Sequence, residues 1–232
     1  MAKKLISFLK TNSQAALTGN GPAAASSSIP EWYKQLAMHL LPKGARGHYT
    51  KITIKACPPF LDSMTTGYIL RTEVDLLVEQ IDGMPYIQWQ EGWTQIEKHD
   101  ERQITKEQIP AGYSPHPLKF LNPYVLQTPP GYSSLFVHPL NRTDLPFLTL
   151  SGVVETDTYY NNIHFPFFLK EGFEGIIPSG TPIVQVIPIK RETWKSEIGD
   201  ADGKKLATDQ LKLRGKYIRS YKSQWWVRKS YE

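Results

Sequence analysis

The feature that most constrains how this chain can fold is a run of short apolar segments between residues 122 and 168. It reads NPYVLQTPPGYSSLFVHPLNRTDLPFLTLSGVVETDTYYNNIHFPFF, with prolines and glycines near the segment ends. Short stretches of aromatic and β-branched residues bounded by turn residues favour β-strands. Strands at this spacing, without long helical patterns between them, favour a sandwich or barrel over βαβ units. This run therefore predicts the inner strands of a β-sandwich.

The flanking sequence extends the same pattern. Asp82-Gly83 predicts a hairpin turn, because both residues tolerate the positive φ angles that such turns need. Further strands are predicted at 51–56, 68–78, 86–89, 118–120, 124–127, 134–138, 147–155, 162–169 and 181–189. Short helices are predicted at 2–10 and 31–40, and 91–110 is a solvated connection. The fold class is mainly β: a single jelly-roll-like sandwich of the double-stranded β-helix type, with a short N-terminal helix and a basic C-terminal helix.

Three parts of the chain differ in composition. Residues 1–28 are predicted to form a flexible tail, because 11–28 are rich in Ala, Ser and Gly and hold few side chains that could join a core. Residues 29–195 form the sandwich domain. Residues 196–232 form a basic, aromatic helical segment. A chain of 232 residues with 40% hydrophobic residues is long enough to bury one sizeable core.

The sequence excludes several classes of protein. The single cysteine, Cys57, permits no intramolecular disulfide and no Cys-rich zinc site, and we expect it to be a buried structural thiol. No apolar run approaches the ~20 residues of a membrane span. The N-terminal MAKKLISFLK has too short an apolar stretch for a secretion signal. We therefore expect an intracellular protein with no membrane partner.

One candidate metal site arises from the histidines of the central run. His138, Asp157 and His164, with Glu155 as an alternative carboxylate, lie on neighbouring predicted strands. Two histidines and one carboxylate can bind Fe(II) on one face and leave positions open for substrate and oxygen. Such enzymes usually place a His two residues before the carboxylate, and this chain lacks one there. The alternative is that His138 and His164 each satisfy a turn beside a proline.

A polar loop follows the first of these histidines. Asn141-Arg142-Thr143-Asp144 is the most polar part of the central run. An ion pair between Arg142 and Asp144 that braces the loop is favoured over ligand binding. The sequence contains no Gly-rich phosphate loop and none of the common hydrolase, metalloprotease or kinase motifs.

The C-terminal block interleaves basic and aromatic residues. Tyr217, Tyr221 and Trp225 are spaced by four, which predicts a helical stripe that packs on the sandwich. Adjacent helical positions are about 100° apart, so Trp226 is predicted to lie to one side, open to a partner. The predicted interface residues are Trp226, Arg228 and Lys229. Binding of single-stranded nucleic acid by this block is the less favoured alternative.

Several segments resemble an uncharacterised family of tailed-phage and bacterial proteins. They are IPEWYKQL, KACPPFLDSMTTGYIL, PPGYSSLFVHPLNR, LSGVVETD and IIPSGTPIVQVIPIKRETW, and they span most of residues 29–194. The resemblance implies a phage setting, in the host cytoplasm or the virion, and implies no activity. Separately, GIIPSGTPIVQVI is similar to a strand-turn-strand of trimeric dUTPases and dCTP deaminases, although their other nucleotide motifs are missing.

Two functions remain open from the sequence. The favoured one is a non-enzymatic structural or assembly protein of a phage particle, without a cofactor, that binds other protein subunits, virion components or further copies of itself. The absence of a complete catalytic motif and the aromatic-rich ends favour it. The alternative is an Fe(II)-dependent oxygenase-like enzyme that uses His138, Asp157 and His164.

Overall fold

A computed structural model describes residues 4–11, 19–40, 52–91, 95–215 and 217–232, with only the backbone described at 101, 106, 214, 215 and 217–219. The strands found there are β1 (Ser7–Lys10), β2 (Ala23–Ala24), β3 (Tyr68–Arg71), β4 (Leu76–Ile81), β5 (Met84–Gln88), β6 (Ile96–Lys98), β7 (Leu118–Phe120), β8 (Tyr124–Gln127), β9 (Tyr132–Val137), β10 (Phe147–Thr149), β11 (Gly152–Val154), β12 (Phe165–Leu169), β13 (Gly175–Ile177) and β14 (Pro182–Lys190). The helices are α1 (Glu31–Gln35), α2 (Pro58–Thr65), α3 (Gly203–Gly215) and α4 (Tyr217–Gln224).

Antiparallel pairing arranges these strands into four sheets within the described residues. Their orders are β11-β9-β14-β3-β2, β10-β12-β7-β6, β13-β4-β5 and β1-β8. The long strand β14 lies in the middle of the five-stranded sheet and pairs with β3 on one side and β9 on the other. Gly67, just before β3, permits this close approach, because a Cβ there would stand 2.1 Å from the Val186 carbonyl oxygen.

Aromatic side chains from the two larger sheets fill one shared core. Phe136 of β9 and Phe165 of β12 bring their ring centroids to 5.5 Å across the sandwich. Phe120 stacks on Phe167 at 3.8 Å, and Phe147 meets both rings edge-on. Full burial of each such side chain stabilises the fold by roughly 1.5–3 kcal/mol. The predicted mainly β, jelly-roll-like sandwich class is confirmed.

The N-terminal residues are part of this structure. β1 pairs with β8, and β2 pairs with the edge of the five-stranded sheet at β3. Ala25 is completely buried, and the Arg71 guanidinium donates to the Gly21 carbonyl and to two serine hydroxyls. The prediction of a flexible tail over residues 1–28 is therefore wrong for 4–11 and 19–28. Ile6 and Phe8 pack on the core, and in residues 19–28 backbone hydrogen bonds and the small buried side chain of Ala25 take the place of large apolar side chains.

The predicted N-terminal helices are shorter than expected or absent. Within 2–10, the described residues form strand β1 instead of a helix. α1 ends at Gln35, so Trp32 and Leu40 do not share a helical face and both are exposed. The residue that α1 buries is Tyr33, which stacks on Phe60 of α2 at 5.9 Å.

Two predicted strands are also interrupted. The strand expected over 68–78 breaks into β3 and β4, because Thr72 and Glu73 turn inward with polar partners. The hairpin at Asp82-Gly83 is confirmed, with φ angles of 52° and 76° at the two residues. Residues 54–56, expected in a strand, form a 3₁₀ turn, and the connection 91–110 contributes β6 to the four-stranded sheet.

The C-terminal segment is helical over less of its length than predicted. Residues 191–202 have no regular secondary structure and all are exposed. The Asp202 carboxylate caps α3 by accepting hydrogen bonds from the backbone N–H groups of Lys204 and Lys205. α4 ends at Gln224, and the last residues return to the sandwich. Among the described residues, no helix has the length and apolar character to cross a membrane.

Candidate protein interface

His138 is held by two backbone groups. Its Nδ1 accepts a hydrogen bond from the Thr149 N–H at 3.3 Å, so its Nε2 carries the proton and donates to the Arg142 carbonyl at 3.1 Å. Burial lowers the pKa of His138 below its usual value. The imidazole is therefore neutral and has both nitrogens engaged, which is the turn-satisfying role considered above.

Asp157 and His164 have other partners. His164 Nδ1 accepts from the Asn122 N–H at 3.2 Å, and burial lowers the pKa of His164. Asp157 pairs with Arg191, whose hydrogen bonds lower the pKa of the carboxyl to about 2.

The structure does not bring His138, Asp157 and His164 together. Within the described residues, no group of three or more His, Cys, Asp and Glu side chains could hold a metal ion. The expected Fe(II) site is therefore corrected. The physical reason is that each of the three side chains is engaged by different partners: His138 by Thr149 and Arg142, His164 by Asn122, and Asp157 by Arg191.

Small cavities lie between the described residues, and three of them have volumes of ≈ 10, ≈ 10 and ≈ 30 Å³. The largest of these three lies beside Met84 and Pro85 and is also lined by Lys98. A volume of about 10–15 Å³ accommodates a single water molecule. These cavities are therefore packing gaps on the scale of water.

The polar loop behaves as expected. The Arg142 guanidinium donates from Nε and from one terminal nitrogen to both carboxylate oxygens of Asp144, at 2.8 to 3.1 Å. Asn141 has a φ of 61° and donates from its side chain to the Ser63 hydroxyl. The loop-bracing ion pair is confirmed.

Within the part of the chain that the structure describes, exposed apolar side chains occupy neighbouring strands of the three-stranded sheet. In β4, Leu76 and Val78 point inward and are completely buried, so alternation turns Leu77, Glu79 and Ile81 outward. The residues that this outer side presents are Leu77, Glu79, Ile81, Met84, Tyr86, Gln88 and Ile176, and we call them the outer sheet face. Its five apolar members are between 40% and 59% exposed.

The register shows that these side chains are neighbours. Ile81 lies opposite Met84, Tyr86 opposite Glu79, and Ile176 opposite Leu77. Directly opposed residues have Cβ atoms about 4.5–5.5 Å apart. The apolar side chains therefore form a continuous surface across three strands. Contiguous apolar surface of this kind marks sites of interaction with another protein.

The segments that form the outer sheet face carry only acidic charge in their own sequence, while Lys98 lies beside Met84 across a small cavity. Residues 75–88 and 171–177 contain five acidic residues and no lysine or arginine. Glu79 lies in the middle of the face and accepts a hydrogen bond from Gln88. A partner with apolar and basic groups would therefore match this face better than an acidic one.

The predicted C-terminal interface residues contact the protein itself. Trp226 donates its indole N–H to the Asp62 carboxylate at 3.0 Å, and Lys229 pairs with the same oxygen at 2.6 Å. The hydrogen bond that Lys229 donates to the Asp62 carboxylate raises the pKa of Lys229. Tyr231 meets Tyr68 edge-on. These contacts fasten the end of the chain to α2 and β3, while Arg228 is exposed.

The expected division of labour between the two tryptophans is reversed. Trp225 is exposed, and Trp226 is the one that contacts the body of the protein. α4 ends at Gln224, so Trp226 is not in a helix and the 100° spacing of helical neighbours does not apply to it. The side chain of Tyr217 lies outside the described residues.

The start of the C-terminal segment is also fastened. Arg191 donates its backbone N–H to the Gly131 carbonyl and its guanidinium to the Tyr132 carbonyl and to Asp157. Beyond this anchor, Trp194 is 84% exposed and Ile198 is fully exposed. Both ends of residues 192–224 are thus attached to the body, and we call this segment the C-terminal arm.

The outer sheet face was not predicted from the sequence. Its signal was the segment LLVEQIDGMPYIQ, in which apolar residues occupy both alternating phases of each strand. A strand that is apolar in both phases is expected to be covered on both sides. The structure covers only one side, so the second apolar phase is left facing outward.

Comparisons with known proteins support no assignment to a family. No family model matches the sequence, and no curated protein matches it. Similar solved structures include a dUTPase from phage phi11 of S. aureus, with 10% identity over 85% of this chain and 97% of that chain and a TM-score of 0.37. A Staphylococcus bacteriophage 80alpha dUTPase has 12% identity over 85% and 88% of the two chains and a TM-score of 0.35. Likeness at this level says nothing about activity.

Proposed function

We propose that this protein is a non-enzymatic structural or assembly protein that binds other protein subunits through the outer sheet face. The observation that carries the proposal is the row of five half-exposed apolar side chains on adjacent strands of one sheet. Burying such surface against a partner is the main favourable contribution to protein association. The proposal includes no cofactor, membrane or nucleic acid.

The setting proposed for this role is a phage particle or its assembly in the host cytoplasm. The sequence resemblance to tailed-phage and bacterial proteins motivates it. The partners would be virion components or further copies of the chain. Their surfaces should be apolar with basic residues at the margin, because the outer sheet face has an acidic surround.

The test is quantitative mass spectrometry of purified particles made with variants of this chain. Wild-type protein should be incorporated, and Ile81→Lys combined with Tyr86→Lys should be lost, since two charges would have to be buried at the interface. Tyr160→Lys is the matched control, because Tyr160 is 66% exposed and lies outside this sheet. Particles and assembly intermediates without the wild-type chain, or full incorporation of the double variant, would contradict the proposal.

A further inference from the structure

The C-terminal arm carries apolar side chains that the rest of the molecule leaves exposed. Trp194 and Ile198 lie within the irregular stretch that follows the Arg191 anchor, and they are 84% and fully exposed. Leu206 and Leu211 of α3 are 50% and 66% exposed. Exposed large apolar side chains are common singly, but here four lie on one segment. The arm therefore offers apolar surface to a partner.

Two consecutive parts of the arm carry opposite charge. Residues 192–202, which we call the acidic strip, contain four acidic residues and one lysine. α3 contains four basic residues and one aspartate, so the two excesses of charge are equal and opposite. The side chains of Lys204, Lys205 and Lys212 on α3 are exposed, as is every residue of the acidic strip. Opposite charge around two apolar surfaces accelerates association and selects the matching orientation.

The acidic strip and α3 do not cover each other within one molecule. The Asp202 carboxylate caps α3, so the strip ends where the helix begins. The exposure of Trp194 and Ile198 means that neither side chain rests on the leucines of α3. Among the described side chains, no ion pair joins the strip to the helix. The charges and the apolar side chains of both parts are therefore available to another molecule.

We infer that the acidic strip of one copy of this chain lies along α3 of a second copy, which returns the same contact. The two arms then run antiparallel about a twofold axis, and each acidic strip faces a basic helix. Trp194 and Ile198 of one copy meet Leu206 and Leu211 of the other. A parallel pair would instead bring like charges together, which is costly. Because both copies use the same surface, the assembly closes as a dimer.

The lengths of the two parts permit this pairing. At 1.5 Å per residue, the 13 residues of α3 span about 20 Å. An extended chain advances about 3.3 Å per residue, so the acidic strip can span up to about 36 Å. The strip is therefore long enough to cover the whole helix. The pairing uses a surface separate from the outer sheet face, so the inference goes beyond the docking role proposed above.

Two other partners match this arm less well. The segments of the outer sheet face are acidic, like the acidic strip, so the strip would be repelled there. A single-stranded nucleic acid would be attracted to α3, but the strip beside the helix would repel its phosphates. A second copy of the arm matches both signs of charge at once.

The test begins with sedimentation velocity over a wide range of protein concentration. The wild-type chain should form a dimer, and more weakly at high salt, because the charges are screened. The strip variant (Glu197→Lys with Asp200→Lys) and the helix variant (Lys204→Glu with Lys205→Glu) each reverse the sign of one part. Each variant alone should dimerise at least about tenfold more weakly, since both contacts then oppose like charges. Thermal melts establish that each variant is folded.

Mixing the two variants gives the sharper result. The strip variant has two basic parts and the helix variant has two acidic parts, so an equimolar mixture should form a one-to-one dimer that neither protein forms alone. The helix variant should keep α3, because glutamates in the first turn of a helix are favourable. A mixture that stays monomeric under conditions in which the wild type dimerises would overturn the inference.

Two control proteins carry changes outside the arm. Glu107→Lys with Glu171→Lys makes the same change in net charge at exposed positions and should dimerise as the wild type does. The face variant, Ile81→Lys with Tyr86→Lys, should also dimerise normally. If the face variant is monomeric while the strip and helix variants still dimerise, the self-contact lies on the outer sheet face. That outcome overturns the inference and leaves the proposed docking role standing.

Carbodiimide crosslinking of mixed isotopically labelled and unlabelled wild-type chains locates the contact. The reagent joins carboxylates to lysine amines that touch them, so it should link Glu197 or Asp200 of one copy to lysines of α3 in another. Crosslinks to a different region, or only within one chain, would overturn the inference. A wild-type chain that is monomeric at every concentration would also overturn it, and binding of an oligothymidylate that the helix variant loses would then identify nucleic acid as the partner of α3. The particle experiment would still decide the docking role.

Discussion

Gln185 shows how one buried amide can join segments that are distant in sequence. Its Nε2 donates to the Ser63 and Thr66 carbonyls at 2.8 and 2.6 Å, and its Oε1 accepts from the Leu140 N–H at 3.0 Å. The side chain is 1% exposed. It therefore connects β14, the end of α2 and the loop after β9, and every polar atom of its amide has a partner.

Replacing Gln185 by glutamate should destabilise the protein by about 3 kcal/mol, because two buried carbonyls lose their donor and face a carboxylate. Chemical denaturation at neutral pH measures the loss. Gln108→Glu is the matched control, since its exposed side chain only accepts a hydrogen bond from the Thr105 N–H. A loss at Gln185 no larger than that of the control would refute the role assigned to this amide.

His138 should make stability depend on pH. Burial lowers its pKa in the folded protein, so the unfolded chain binds a proton more readily. The stabilisation is fully present above about pH 6.5, the usual histidine pKa, and is lost as the pH falls through the lowered value. His164 acts in the same direction.

Thermal melts between neutral and mildly acidic pH should show this loss. His138→Asn retains an acceptor for the Thr149 N–H without the titrating ring, and its melting temperature should fall less steeply with acidification than that of the wild type. Identical slopes for the two proteins would show that His138 does not contribute to the pH dependence.

At the scale of elements, the N-terminal strands raise the question of how much a segment rich in small residues contributes to the stability of the fold. β1 and β2 add hydrogen bonds to β8 and β3, and Phe8 meets Tyr68 edge-on at 5.4 Å. Deleting residues 2–28 would remove the Phe8 ring from Tyr68 and the backbone partner of β3, and would leave the Arg71 guanidinium without Gly21, Ser27 and Ser28.

We therefore expect this deletion to lower the melting temperature by at least about 5 °C, since a loss of 1 kcal/mol shifts a chain of this size by about 2–4 °C. Calorimetry measures the shift. Deleting residues 2–5 alone is the control, because it ends before β1. An unchanged melting temperature for the longer deletion would mean that these strands add nothing to stability.

At the scale of the whole molecule, Asp62 is the point at which the C-terminus returns to the sandwich. Its carboxylate accepts from Trp226 and Lys229, while Arg191 fixes the other end of the arm. These two attachments hold both ends of the C-terminal arm on the body of the protein.

Asp62→Asn should loosen the C-terminus without unfolding the sandwich, because a partly exposed ion pair contributes about 1 kcal/mol or less. Hydrogen exchange of a peptide covering 225–232 should become faster, with little change at β14. Asp209→Asn is the control, since Asp209 pairs with Lys212 inside α3. Equal exchange in both variants would contradict the anchoring role.

The sequence by itself determined the fold class, the hairpin at Asp82-Gly83 and the Arg142–Asp144 pair. Each depends on local properties: strand-forming residues between turns, positive φ at a short turn, and opposite charges two residues apart. Such local preferences do not depend on how the rest of the chain folds. The amino-acid composition of the N-terminus did not predict its two strands, because their pairing with β8 and β3 depends on residues that are distant in sequence.

Only the tertiary structure decided the candidate site. His138, Asp157 and His164 are residue types that commonly bind metal ions, but each forms hydrogen bonds with a different part of the protein. Residue type alone does not specify these contacts. The outer sheet face could likewise not be predicted, because the sequence of an apolar strand does not indicate which of its two sides the rest of the chain will cover. Alternation identifies two sides of a strand, and the packing of the whole protein determines which one is left for a partner.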